Sequence, residues 1–174
     1  RIVSFVSLEQ ELDEEGLLAG TDVFCALGTT IKKAGSQEAF RTVDFDYPLA
    51  LGRAAKRHGA AKYLLVSSIG ADSVSSFFYL RVKGELEEAL RRLQLPELGI
   101  FRPSQLLGAR GEVRRLERLA EALTKPLSKA MVGPLRKYRP IEASAVAAAM
   151  VRVALEGVPG VVVFESNAIA ALAG

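Results

Sequence analysis

AKYLLVSSIGADSVSSFFYLRVKGELEE, residues 61–88, is the stretch around which the rest of the chain is read. A short apolar run, 63–66, has the length and character of a strand and stops at Ser67-Ser68. A loop follows, and Tyr79-Leu80-Arg81-Val82-Lys83 opens a helical pattern over 77–93. Tyr79 and Lys83 are four residues apart, so a helix sets both on one face, about one turn apart. A serine at a strand's end facing a tyrosine and a lysine at a helix's start is suited to moving a proton at a carbonyl or alcohol oxygen.

Working outward, the same alternation repeats. Upstream, 2–6 reads as a strand and 9–18 as a short acidic helix. A continuous apolar run at 23–27 then stops at Gly28-Thr29-Thr30. Runs apolar at every position suit strands of a parallel sheet covered on both faces. A glycine and small hydroxyl residues at such an end let a ligand approach the backbone, although the triplet also reads as a plain turn. Residues 36–58 read as one long helix, with Ser36 as its N-cap, Pro48 as a kink or break, and His58-Gly59 at its end. His58, the sole histidine, reads as a partner of the helix dipole. Downstream come a strand at 99–101 ending in Arg102-Pro103-Ser104, a charged helix at 110–123 and a basic segment at 125–139. A helix at 143–155, a strand at 161–164 and a helix at 167–172 complete the chain. Arg102 reads either as the partner of a buried acid or as a group reaching the site. This order predicts one α/β domain over 1–174: a Rossmann-like, doubly wound parallel sheet, with 105–142 covering the substrate.

Composition narrows the function classes. The chain has 174 residues, a formal net charge of +3 and a pI near 9.1, too mild an excess to demand a nucleic-acid or membrane partner. No apolar run approaches a membrane span. A single cysteine, Cys25, lies in an apolar run and reads as a reduced core thiol, which fits a cytoplasmic protein. Nothing in the residue pattern suggests a metal site.

The chemistry then follows from the residue types. A phenol is a poor base at neutral pH, and an ammonium one turn away favours its ionised form. Tyr79 is thus the candidate acid/base. Ser68 is the candidate holder of the reacting oxygen, with Ser67 as the alternative, and Lys83 the candidate for activating Tyr79 and binding ribose. The hydride has to come from a cofactor, because no side chain carries one.

These residues resemble the short-chain dehydrogenase/reductase superfamily. More narrowly, VFCALGTTIKKAGS, VDFDY, LLVSSIGAD, FFYLRVKGELE and IFRPSQLLG resemble its atypical Tat-interacting-protein-like branch. The resemblance implies Tyr79, Lys83 and Ser68 as catalytic residues. It implies Gly28 and Thr29 on the adenosine-ribose side of the cofactor, and Pro103 and Ser104 on the nicotinamide side. It also implies NADP(H) in preference to NAD(H), a small-molecule substrate, and a possible homodimer through the helices flanking the site. The family's first strand and Gly-rich phosphate loop would precede Arg1 and are not in this sequence. Two other functions stay open: a cofactor-binding regulatory or interaction protein with little turnover, and an epimerase or dehydratase acting on nucleotide sugars, which uses the same residue set.

Overall fold

Among the described residues each apolar run becomes a strand of one sheet, and in the central strands alternate side chains serve two different cores. The computed structural model describes residues 18–107 and 138–174. Strands β1 (Asp22–Cys25), β2 (Lys62–Val66), β3 (Glu97–Arg102) and β6 (Gly160–Glu165) form a parallel sheet in the order β1-β2-β3-β6. Val23 pairs with Tyr63, Tyr63 with Leu98, and Leu98 with Val161. A second, two-stranded parallel pair joins β4 (Leu106–Leu107) to β5 (Ile141–Glu142).

On one face Cys25, Tyr63, Leu65, Leu98 and Ile100 pack with Leu49 and Ala55 of α3 (Tyr47–Arg57) and Leu86 and Leu90 of α4 (Phe78–Arg92). On the other, Leu64 and Phe101 pack with Val146, Ala149, Met150 and Val153 of α5 (Ala143–Glu156) and Ile169 of α6 (Ser166–Ala173). Two covered faces leave the central strands β2 and β3 no polar side, which is why their sequences do not alternate, whereas Phe24 on the edge strand β1 is exposed. Gly99 allows the closest part of this packing: a Cβ there would come within 2.7 Å of Leu64 Cδ2. The expected Rossmann-like arrangement is therefore present. The expected strand at 2–6, all but the last residue of the helix expected at 9–18, the helix at 110–123, and most of the 105–142 and 125–139 segments lie outside the described residues.

The predicted single helix over 36–58 is corrected. It divides into α2 (Gln37–Arg41), a π-helical turn (Thr42–Asp46) and α3. Ser36 does cap the first piece, its Oγ accepting the Ala39 N–H at 3.0 Å. Pro48 explains the division. In an unbroken α-helix its ring would meet the carbonyl four residues back, and it has no N–H to offer that carbonyl. The wider turn removes the conflict, and Pro48 falls in the first turn of α3, where a missing N–H costs nothing. A four-residue helix, α1 (Ile31–Ala34), was not anticipated; Thr30 Oγ1 caps it by accepting the Lys33 N–H, and Gly35 ends it at φ +86°.

Candidate functional site

A cleft of about 310 Å³ opens at the C-terminal ends of β2 and β3, lined by Ser68, Tyr79, Pro103 and Ser104 with Ser67, Ile69, Gln105 and Leu106. Four of the residues singled out in the sequence thus share one cavity. Two backbone bonds carry the β2–β3 pairing past the strand ends and hold the floor in place: Ser67 N–H to Phe101 O (2.7 Å) and Ile69 N–H to Pro103 O (3.0 Å).

The two serines are used differently. Ser67 is buried and its Oγ donates to Glu87 Oε1 at 2.6 Å. The Ser68 hydroxyl makes only a long contact, 3.4 Å, to the neighbouring Ile69 carbonyl. Ser68 therefore keeps its hydrogen-bonding capacity for a ligand.

Tyr79 is the second residue of α4 and is 37% exposed. Its ring leans on Phe40, 5.8 Å between centroids at 56°, and Phe78 packs on the same buried ring. Among the described residues the phenol has no hydrogen-bond partner, so its hydroxyl is available to the cleft. The loop before α4 is held by Gly84. A Cβ at that position would lie 2.2 Å from the Ser73 backbone nitrogen.

Lys83, Gly28 and Thr29 form a separate group at the end of β1, and the residue joining them is Asp44 of the π turn. Lys83 is 3% exposed, not solvated, and its Nζ lies 2.7 Å from Oδ1 of the wholly buried Asp44. The approach is that of an ion pair without hydrogen-bond alignment. Asp44 Oδ2 accepts the Thr29 N–H at 2.8 Å. A Cβ on Gly28 would sit 3.5 Å from Asp44 Oδ1 and 3.9 Å from Lys83 Nζ. The ammonium expected to act on Tyr79 has a counter-ion that the sequence did not indicate, Asp44, which offsets part of its charge. Sequence reading quoted Asp44 within VDFDY without giving it a role. A carboxylate eighteen residues before the strand that begins the Ser-Tyr-Lys stretch has no local pattern to mark it.

Arg102 proves to be the partner of a buried acid. Its Nε and Nη2 donate to the two oxygens of Glu87 at 2.9 and 2.6 Å, and Glu165 lies 3.8 Å from its Nη1. That bonding to Glu87 holds the guanidinium above its ordinary range. Ser104 is similarly engaged, donating to the Arg139 carbonyl and lying 3.1 Å from Ser166 Oγ. Among the described residues there is no cluster of potential metal ligands, and no helix is long and apolar enough to cross a membrane.

Comparison with known proteins agrees with this fold. The HIM1 family model matches residues 10–134. Protein HTATIP2 of Rattus norvegicus is 47% identical over 113 residues, covering 64% of this chain and 46% of that protein. Protein FMP52, mitochondrial, of Candida albicans is 37% identical over 142 residues, covering 80% of this chain and 61% of that one. The chain spans about half the length of the curated relatives it matches. Among solved structures, MoeE5 in complex with UDP-glucose and NAD superposes with a TM-score of 0.66 at 13% identity, over 99% of this chain and 67% of that one. A dTDP-4-dehydrorhamnose reductase from Bacillus anthracis in complex with NADP gives 0.62 at 12%, over 93% and 61%. At such identities the likeness is one of fold. The cytoplasmic expectation is overturned by the mitochondrial designation of the FMP52 relatives. A lone thiol separates oxidising from reducing surroundings at most, and does not tell one reducing compartment from another.

Proposed function

The chain belongs to the HIM1 family, within the atypical branch of the short-chain dehydrogenase/reductase superfamily, and from that premise we propose that it is an NAD(P)(H)-dependent oxidoreductase acting on a small carbonyl or alcohol. The observation that carries this reading is the cleft lined by both Ser68, whose hydroxyl makes only a long contact, and Tyr79, whose phenol has no partner among the described residues, at the C-terminal edge of the sheet. Open α/β sheets bind ligands at that edge.

The chain's own residues fit a dinucleotide in two respects. Gly28 leaves the end of β1 without a side chain, and the Lys83 ammonium has three donors against one partner. Lys83 would hold ribose hydroxyls, Gly28 and Thr29 the adenosine-ribose side, and Pro103 and Ser104 the nicotinamide side. When bound, the cofactor supplies or accepts the hydride. Ser68 holds the substrate oxygen, and Tyr79 gives it a proton on reduction or takes one on oxidation. Of the two dinucleotides, NADP(H) is the one this reading prefers.

The test uses the natural full-length protein mixed with NADPH or NADH and a panel of aldehydes and ketones, followed by nicotinamide absorbance. Oxidation of the cofactor that falls by about a hundredfold or more in Tyr79→Phe, with cofactor affinity kept, is the expected result. Binding with no oxidation across the panel would favour the regulatory reading. Turnover confined to nucleotide sugars would favour the epimerase or dehydratase reading. Unchanged turnover in Tyr79→Phe removes Tyr79 from the mechanism.

A further inference from the structure

Asp44 is the most deeply buried acid near the site, and its surroundings are unusual for a group that serves stability alone. Its side chain is wholly excluded from solvent, yet Oδ1 has no aligned hydrogen bond and Oδ2 accepts only the Thr29 N–H. Its partner ammonium is equally enclosed and meets no other acceptor among the described residues. A buried ion pair of this kind gives little net stability, because desolvating both charges cancels most of their attraction. An apolar pair of similar volume would hold the fold as well.

Position supplies the other half of the argument. Asp44 sits on the π turn, whose widened geometry is frequent at functional sites. Both charged heads border Gly28, where an added Cβ would lie 3.5 Å from the carboxylate and 3.9 Å from the amine. The carboxylate thus links a helix that bears Lys83 to the backbone of the loop that follows β1.

We propose that Asp44 is a positioning residue: its carboxylate fixes the Lys83 ammonium beside Gly28 and, through the Thr29 N–H, ties that ammonium to the loop that would meet the cofactor. The inference rests on the oxidoreductase reading above, since it gives the Lys83–Asp44 unit its ligand. Asp44→Asn keeps the size of the side chain and an oxygen for Thr29 while removing the charge. Lys83→Met removes the amine and keeps an apolar stem.

The experiment is a double-mutant cycle on cofactor binding. Dissociation constants for NADPH and NADH are measured by fluorescence titration in the natural full-length protein, in Asp44→Asn, in Lys83→Met and in the double variant. Urea unfolding is measured alongside. Each single variant should bind about tenfold more weakly, and the double variant within about twofold of Lys83→Met, because Asp44 acts through the lysine. Parental affinity in a folded Asp44→Asn, with only its urea midpoint moved, overturns the inference and leaves a structural role. Losses that multiply to about a hundredfold in the double variant also overturn it, because Asp44 would then act independently of Lys83. Should Asp44→Asn not fold, Asp44→Glu, which keeps the charge but displaces it, takes its place in the cycle with the same expected and overturning results. An unmodified protein that binds neither dinucleotide fails at an earlier step. That result sinks the oxidoreductase reading itself, and it is visible before any variant is made.

Discussion

Lys83 and Glu87 stand one turn apart on the same face of α4, both buried, and they are treated in opposite ways. Glu87 accepts from Arg102 twice and from Ser67 once, and Arg91 lies 3.7 Å away. Every lone pair that the fold can reach there is used. Among the described residues Lys83 has one partner, Asp44, approached off the hydrogen-bonding direction. The Glu87 cluster fastens the ends of β2 and β3 to the helix; the Lys83–Asp44 pair lies beside Gly28 and Thr29, after β1. Incomplete satisfaction of buried polar groups is rare in native proteins, and on the proposal above the contrast is one between a structural cluster and a cofactor-facing pair.

Glu87→Ala should give the largest stability effect. It strands the Arg102 guanidinium and the Ser67 hydroxyl together, and breaking a buried pair from one side costs about 3–5 kcal/mol. Arg102 retains 22% side-chain exposure, so water takes up part of its charge and the lower end, about 3 kcal/mol, is expected. Urea unfolding reads this directly. The folded fraction should still bind cofactor as the parent does; a loss of affinity as large as that of Lys83→Met would erase the distinction between the two clusters.

Gly84→Ala tests the ground between them. The new methyl would meet the Ser73 backbone nitrogen at 2.2 Å, and backbone cannot swing aside as a side chain can. Overpacking of this kind costs about 1–3 kcal/mol. Because the displaced segment follows Ser68 and precedes Tyr79, turnover should fall along with the urea midpoint. A variant with parental stability would mean that the loop moves freely and that the cleft is not preorganised by this contact.

The serine pair sharpens the comparison at a smaller scale. Ser67→Ala should cost about 1–2 kcal/mol, the worth of a buried hydrogen bond to a carboxylate, and leave turnover per folded molecule unchanged. Ser68→Ala should leave the urea midpoint within about 0.5 kcal/mol and lower turnover. Exchange of these two outcomes would transfer the substrate-holding role to Ser67.

How much of this could be read in advance depends on distance along the chain. The strand-end serine, the tyrosine and the lysine lie within 28 consecutive residues, and their helical spacing survives into the structure because α4 forms as expected, over Phe78–Arg92. The parallel sheet was legible because burial on both faces leaves a continuous apolar run at 63–66. Pro48 announced a break in the helix, but not that the break would be a π turn that turns Asp44 inward. That outcome depends on Lys83, 39 positions away, which sequence periodicity cannot link to it. Arg102 was ambiguous for the same reason, since Glu87 reaches it across the sheet edge from another element.

The least polar corner of the site gives the smallest effect and a pH signature. Beneath β1 and β2 burial pushes the Cys25 thiol above its ordinary 9.0, and burial, with the nearby Cys25 adding to it, pushes the Tyr63 phenol well above its ordinary 10.0. Tyr63 is fully enclosed and donates to the Pro48 carbonyl at 2.7 Å, so its proton is held by the fold. In the unfolded chain both groups ionise near their ordinary values. Above about pH 9 the unfolded state therefore binds fewer protons than the native state, and stability falls as pH rises. Below that pH the contribution is complete. Tyr63→Phe should cost about 1 kcal/mol at neutral pH, by leaving the Pro48 carbonyl unpaired. It also removes the phenol's share of the alkaline loss, so parent and variant should converge in urea midpoint between pH 9 and about 11. Neither buried group belongs to the Lys83–Asp44 pair, and cofactor affinity measured at neutral pH should not change with the substitution. Parallel stability curves up to pH 11 would mean that the phenol ionises inside the fold as easily as outside it, which a fully buried group bonded to a carbonyl should not do.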